Sequence, residues 1–135
     1  MSRTPVDADY RRLLQFRTGL RRFLRWSEEQ AEKVGLTTAQ HQLLLAVRGH
    51  DGDRGPTIGD VAGYLFLRHH SAVGLVDRAV KGGLVERGED PEDRRVVRLR
   101  LTSRGMEILQ QLSALHMKEI ERLTPLLQTI SASRE

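Results

Sequence analysis

Apolar residues in the first quarter of the chain recur with the period of a helix. Between Asp7 and Val34 they fall at Tyr10, Leu13 and Leu14, then at Leu20, Phe23 and Leu24, then at Ala31 and Val34. This spacing of three and four keeps them on one face. A second helix is expected after Thr37, because Thr37 and Gln40 have the Ser/Thr-x-x-Glu/Gln spacing of a capping box. Leu43, Leu44, Ala46 and Val47 form its apolar face. The stretch "GHDGDRGPT" reads as a loop punctuated by glycine and proline. Thr57 then caps a short third helix that turns Ile58, Val61, Ala62 and Leu65 inward. After a break near Phe66 and Leu67, "RHHSAVGLVDRAVKGG" predicts a fourth helix ended by Gly82 and Gly83. Its inner face is Ala72, Leu75, Val76, Ala79 and Val80, and its outer face is His69, His70, Val73, Gly74, Asp77 and Arg78.

The period then shortens. Residues 84–87 and 96–101 read as two strands joined by the charged loop 88–95, where "EDPEDRR" packs four acids and two arginines into seven residues. In the second strand Val97, Leu99 and Leu101 alternate with Arg98 and Arg100, the pattern of a half-buried strand. Thr102 caps a long final helix whose seam is Leu109, Leu112, His116, Ile120, Leu123, Leu127 and Ile130. Thr124–Pro125 is expected to interrupt it, with Thr124 as N-cap and Pro125 opening a last short segment. The fold class is therefore mainly α with a small β-ribbon. A winged helix-turn-helix at 37–101 lies between long helices at 7–34 and 102–133. One such lobe is too small to bury the seam from Leu112 to Ile130. A homodimer is expected, formed through Tyr10, Leu13, Leu112, His116, Ile120, Leu123, Leu127 and Ile130.

Composition narrows the function. The 135 residues suffice for one domain. Lys plus Arg is 22 against 18 for Asp plus Glu, a net charge of +4, and nineteen of the cations are Arg. The planar guanidinium fork fits phosphates and guanine edges, although GC-rich codon usage yields the same excess. The chain has no cysteine, which excludes disulfides, thiolate metal sites and thiol redox sensing. No apolar run approaches the roughly 20 residues that span a bilayer, and "MSRTPVDADY" lacks the apolar segment of a signal peptide. A cytoplasmic protein is expected. Aromatics at 4% argue against a base-stacking RNA surface.

Two constellations suit DNA. The fourth helix presents Arg68, His69, His70, Ser71 and Arg78 as donors able to reach base edges, with Val73 and Gly74 on the same outer face. In the wing loop, Asp93 and Arg95 stand two apart on a nascent strand, hence on one face, so the carboxylate can fix the guanidinium. Arg94 and Arg95 are then placed to enter a narrow, electronegative minor groove. Each constellation has an ordinary counterpart, a plain amphipathic surface helix and a solvated turn. No role is assigned to Glu89, Asp90 and Glu92.

Other chemistry is poorly supported. His69 and His70 point to different faces and no histidine pair has the i, i+4 spacing, so no metal site is expected. "DGDRG" resembles the start of a calcium loop, but Ala62 stands where a bidentate Glu is needed. No catalytic constellation and no cofactor motif is present. The first helix's arginines are expected to be solvated or paired with Glu28, Glu29 and Glu32. Trp26 is a candidate for a dimer interface or a ligand pocket.

"LVDRAVKGGLVERGEDPEDRRVVRLRLTSRG", together with "GLTTAQHQLLLAV", resembles the recognition-helix-and-wing signature of the MarR (multiple antibiotic resistance regulator) family. The resemblance runs from about Tyr10 to Ile130. It implies a homodimer with intertwined terminal helices, two recognition helices in successive major grooves of a palindromic operator, and wings in the flanking minor grooves. It also implies that Asp93 and Arg95 hold each other. By family analogy the expected function is a repressor, relieved when a small aromatic acid or phenol enters the cleft between the dimer helices and the DNA-binding lobe. Gly74 departs from the pattern, since relatives more often carry a polar residue there and glycine cannot read a base. Two other readings stand beside this one: an architectural or accessory DNA binder without a ligand, and a helical protein-interaction module without DNA binding.

Overall fold

A computed structural model describes residues 3–132. The element order is α1 (Asp7–Lys33), α2 (Thr38–Gly49), α3 (Ile58–Leu65), α4 (His69–Lys81), β1 (Val85–Glu89), β2 (Val97–Leu101) and α5 (Ser103–Ala132). This is a mainly helical winged helix-turn-helix with a two-stranded antiparallel wing. Position 133, expected in the last helix, lies outside the described residues.

The helix starts follow the expected capping chemistry. The Thr37 hydroxyl accepts from Gln40 N and the Gln40 side chain accepts from Thr37 N, at 3.1 and 3.0 Å. Thr57 and Asp60 repeat the arrangement at 3.0 Å in both directions, and Thr102 accepts from Gly105 N at 3.0 Å. A side-chain acceptor at these positions satisfies a backbone N–H that the helix leaves unpaired.

The core lies where α2, α3 and α4 meet the strands and the first half of α5. Leu43 and Leu44 of α2, Val61 of α3, Leu75, Val76 and Ala79 of α4, Leu84, Val85 and Leu99 around the wing, and Leu109 and Leu112 of α5 are all buried. From the far end of α1, Ser27 and Ala31 reach it. The loop before α3 closes one side of the wing, with Leu99 N donating to Pro56 O at 2.9 Å. A β-carbon on the adjacent Gly55 would fall 1.8 Å from the Leu99 carbonyl oxygen.

Three expectations need correction. The β1–β2 ladder extends through Gly88↔Arg98 and Glu89↔Val97, so the loop begins at Asp90 rather than at Gly88. Pro125 lies inside a continuous α5 and opens no new segment. Thr124 is not an N-cap there: its hydroxyl donates to Ile120 O, one turn back, at 2.7 Å. An exposed helix tolerates the N–H that proline lacks because water reaches the carbonyl left over. Leu112, expected at a dimer interface, is only 1% exposed within one chain and belongs to the lobe's own core.

Away from the core, α1 and α5 leave apolar side chains in solvent. Tyr10, Leu13, Leu14, Leu20 and Leu24 of α1, and Leu115, Ile120, Leu126 and Leu127 of α5, are exposed. Arg12 ties the two helix ends together, donating to the carbonyls of Ile130 and Ser131 at 3.1 and 3.4 Å. Among the described residues no helix is long and apolar enough to cross a membrane.

Candidate nucleic-acid interface

The α4 helix begins with an exposed polar turn. Arg68 is the N-cap rather than a helical residue, and His69, His70 and Ser71 follow it, all in solvent. One turn on, Val73 and Gly74 are half-buried, and Arg78 is exposed. Gly74 has a local consequence: a β-carbon there would stand 3.3 Å from Arg78 Nη1, so the guanidinium lies over the gap the glycine leaves. Asp77, on the same outer face, pairs with Arg87 of β1 and ties the helix to the wing's first strand.

At the wing tip the Asp93–Arg95 pair is present in bidentate form. Asp93 Oδ1 accepts from Arg95 Nε, and Oδ2 from Arg95 Nη2, both at 3.0 Å. The geometry behind it differs from the expected shared strand face. Residues 93–96 form a turn, with Val96 N donating to Asp93 O and Arg95 N donating to Asp93 Oδ1, each at 3.0 Å. One carboxylate therefore fixes both the backbone and the side chain of Arg95. Hydrogen bonding from the Arg95 side chain, then from its backbone N–H, holds the Asp93 carboxyl below its ordinary pKa. The Arg95 side chain is 90% exposed even while paired. Arg94 beside it is exposed and makes no hydrogen bond or ion pair among the described residues.

Of the three acids left without a role, Asp90 and Glu92 anchor the wing. Asp90 is 3% exposed. Its carboxylate accepts from Arg54 Nη1 at 2.9 Å, from Arg98 Nε at 2.9 Å and from Glu92 N at 2.8 Å. Glu92 adds an ion pair to Arg54 Nη2 at 2.9 Å. The Glu92 backbone N–H, followed by Arg98 and Arg54, lowers the Asp90 pKa against the opposing effect of burial. A buried carboxylate thus joins the loop before α3 to the root of β2. Arg98 and Arg100 are accordingly not free probes. Arg98 is bound to Asp90, and Arg100 donates to Glu86 across the ladder at 2.8 Å. The Asp-Pro pair at the strand end was a readable turn signal, but nothing in the sequence links it to Arg54.

Where α1, α2 and α5 meet, His116 packs its ring on Trp26 and His41 at centroid distances of 4.8 and 4.9 Å, with Phe23 at 6.0 Å. His116 Nδ1 lies 2.7 Å from the Leu112 carbonyl, which can only accept, so Nδ1 carries a proton; Nε2 lies 2.7 Å from the Ser27 hydroxyl. His116, expected at the dimer seam, is therefore also tied within its own chain. Burial, and then the neighbouring His116, lower the pKa of His41. Trp26 joins this ring cluster. Among the arginines of α1, Arg25 pairs with Glu29 at 3.7 Å in solvent.

Residues 34–96 match the model of the MarR family. Two curated relatives are described as proteins of transcriptional regulation. They are YsmB of Bacillus subtilis, 46% identical over 55 residues, and the activatory protein BadR of Rhodopseudomonas palustris, 32% identical over 82 residues. These stretches cover 41% and 61% of this chain but only 38% and 47% of the relatives, under half of each. The fold is also that of S. aureus MepR in complex with DNA. That structure has a TM-score of 0.69 at 21% identity, over 84% of this chain and 82% of the other.

Proposed function

We propose that this chain, whose winged-helix lobe belongs to the MarR family, is a dimeric, sequence-specific DNA-binding regulator of transcription acting in the cytoplasm. The observation that carries this reading is the wing tip: an Arg95 side chain nine-tenths exposed yet held in bidentate fashion by Asp93, beside Arg94, which has no partner among the described residues. Fixing a long cation before binding lowers the conformational entropy lost on contact with DNA. Arg94 and Arg95 enter the minor groove, while Arg68, His69, His70, Ser71 and Arg78 face the major groove, with Val73 and Gly74 allowing close approach.

Dimerisation follows from the apolar face left in solvent. Tyr10, Leu13, Ile120 and Leu127 are exposed in the single chain. Ile120 and Leu127, with Leu14, Leu20, Leu123 and Ile130, line a groove of about 1000 Å³ between α1 and α5, deep enough to seat the equivalent helices of a second copy. The resulting two-fold symmetry asks for a palindromic operator with half-sites about one helical turn apart. The finer reading is a repressor released by a small aromatic acid or phenol bound beside Phe23, Trp26, His41 and His116, at the junction of the dimer helices and the lobe.

Selection from random duplex DNA tests the reading. The wild-type chain is expected to enrich a palindrome, and benzoate or phenol to weaken its binding. Enrichment of no sequence above random DNA would leave the architectural or protein-interaction readings in its place.

A further inference from the structure

Three helices of this fold end in the same hydrogen-bonded turn. In α1, Leu36 N donates to Ala31 O and Gly35 N to Glu32 O; in α4, Leu84 N donates to Ala79 O and Gly83 N to Val80 O. In α3, Leu67 N donates to Ala62 O and Phe66 N to Gly63 O. The penultimate residue of each turn must be left-handed, a conformation that glycine adopts without a steric penalty. Gly35 and Gly83 have φ of 81° and 74°, but Phe66 occupies the same position at φ 55°. Among the described residues it is the one non-glycine at positive φ. A β-carbon there is strained, and strained residues cluster where function requires them.

Apart from the turn's own backbone hydrogen bonds, no side-chain contact among the described residues offsets that strain. The Phe66 side chain is 95% exposed and outside the core, and it makes no ring contact among the described residues. Nor does it belong to the apolar face along α1 and the far half of α5, since α3 packs on α2, α4 and β2. Its place is two residues before the Arg68 N-cap, next to the exposed turn of Arg68, His69, His70 and Ser71. A phenyl ring at that point reaches whatever the entering end of α4 meets.

We propose that Phe66 is a specificity-determining DNA contact, its ring lying against the apolar groups of the duplex beside the N-terminus of α4. This rests on the DNA-binding reading above. The apolar groups a duplex offers at the major-groove edge are thymine C5 methyls and deoxyribose carbons. The contact carries no charge, so it adds affinity and sequence preference without neutralising a phosphate.

The test uses a site selected from random DNA by the wild-type chain, and the variants Phe66→Asn and Phe66→Gly, both of which accept the left-handed turn. Each is expected to melt at or above the wild-type temperature, yet to bind the selected site roughly tenfold more weakly, with an unchanged dependence on salt. Replacing every dT of the site with deoxyuridine separates the two apolar sources. If thymine methyls are touched, the replacement weakens the wild type more than the variants. An equal effect on all three would place the ring on deoxyribose, which carries no sequence information, and would overturn the role in specificity. Wild-type affinity in both variants overturns the proposal, as does weaker binding accompanied by a lower melting temperature, which would make the ring part of the fold. A wild-type chain that selects no site overturns the DNA reading itself.

Discussion

Asp90 and Arg54, 36 positions apart in the chain, meet at the root of the wing, where Arg54 Nη1 donates to both carboxylate oxygens at 2.9 and 3.2 Å. The Asp90 carboxyl is held below its ordinary pKa by the Glu92 N–H, Arg98 and Arg54. A depressed folded-state pKa contributes stability that is fully present above the ordinary carboxylate range and is lost as pH falls through the folded value. Asp90→Asn is therefore expected to lower the melting temperature at pH 7, and the gap from wild type should narrow as pH drops below about 4. Arg54→Ala should lower it in the same direction. Thermal melts of the three proteins across pH check this; a gap that stays constant into acid contradicts it.

Two leucine-type positions of the same α5 seam should behave oppositely. Leu112 is buried within one chain while Ile120 is exposed. Leu112→Ala is expected to cost about 2–5 kcal/mol of stability through a core cavity and to leave the association state alone. Ile120→Glu combined with Leu13→Glu should keep the lobe folded and shift the particle towards the 15.4 kDa mass of one chain. Sedimentation and thermal unfolding, run on both variants, separate the two effects.

Two glycines should also respond with opposite signs. Gly55→Ala places a methyl 1.8 Å from the Leu99 carbonyl oxygen, forcing the loop away from β2, at a cost of roughly 1–3 kcal/mol. Gly74→Ala meets only the mobile end of Arg78, and an alanine in mid-helix is worth up to about 1 kcal/mol over glycine. Equilibrium denaturation of both variants checks the pair. Equal destabilisation by both contradicts this account of Gly74.

Much of the architecture was legible because it rests on local signals. Thr37, Thr57 and Thr102 announced their helices through capping chemistry, and the alternation of Val97, Leu99 and Leu101 announced the wing. The Asp93–Arg95 pair was readable from two-residue spacing, although a turn rather than a strand face brings the groups together. Asp90 was not readable, because its partner Arg54 arrives from a loop whose path depends on Gly55 closing against Leu99. Leu112 and Ile120 share a heptad seam, and periodicity alone cannot say that the lobe covers the first and leaves the second in solvent. Pro125 suggested a break, but it lies where α5 is exposed and the missing hydrogen bond is tolerated.

The central claim is that Asp93 holds Arg95 ready for DNA. Binding of the selected site by wild type, Arg95→Ala and Asp93→Ala, measured across a series of salt concentrations, tests it most directly. Arg95→Ala should weaken binding and reduce the salt slope by about one unit, because one phosphate-neutralising cation is gone. Asp93→Ala should weaken binding with the slope preserved, because the cation remains but is no longer held. Tighter binding by Asp93→Ala would mean that the carboxylate merely repels phosphate, and an Arg95→Ala isotherm matching wild type at every salt concentration would contradict the claim outright.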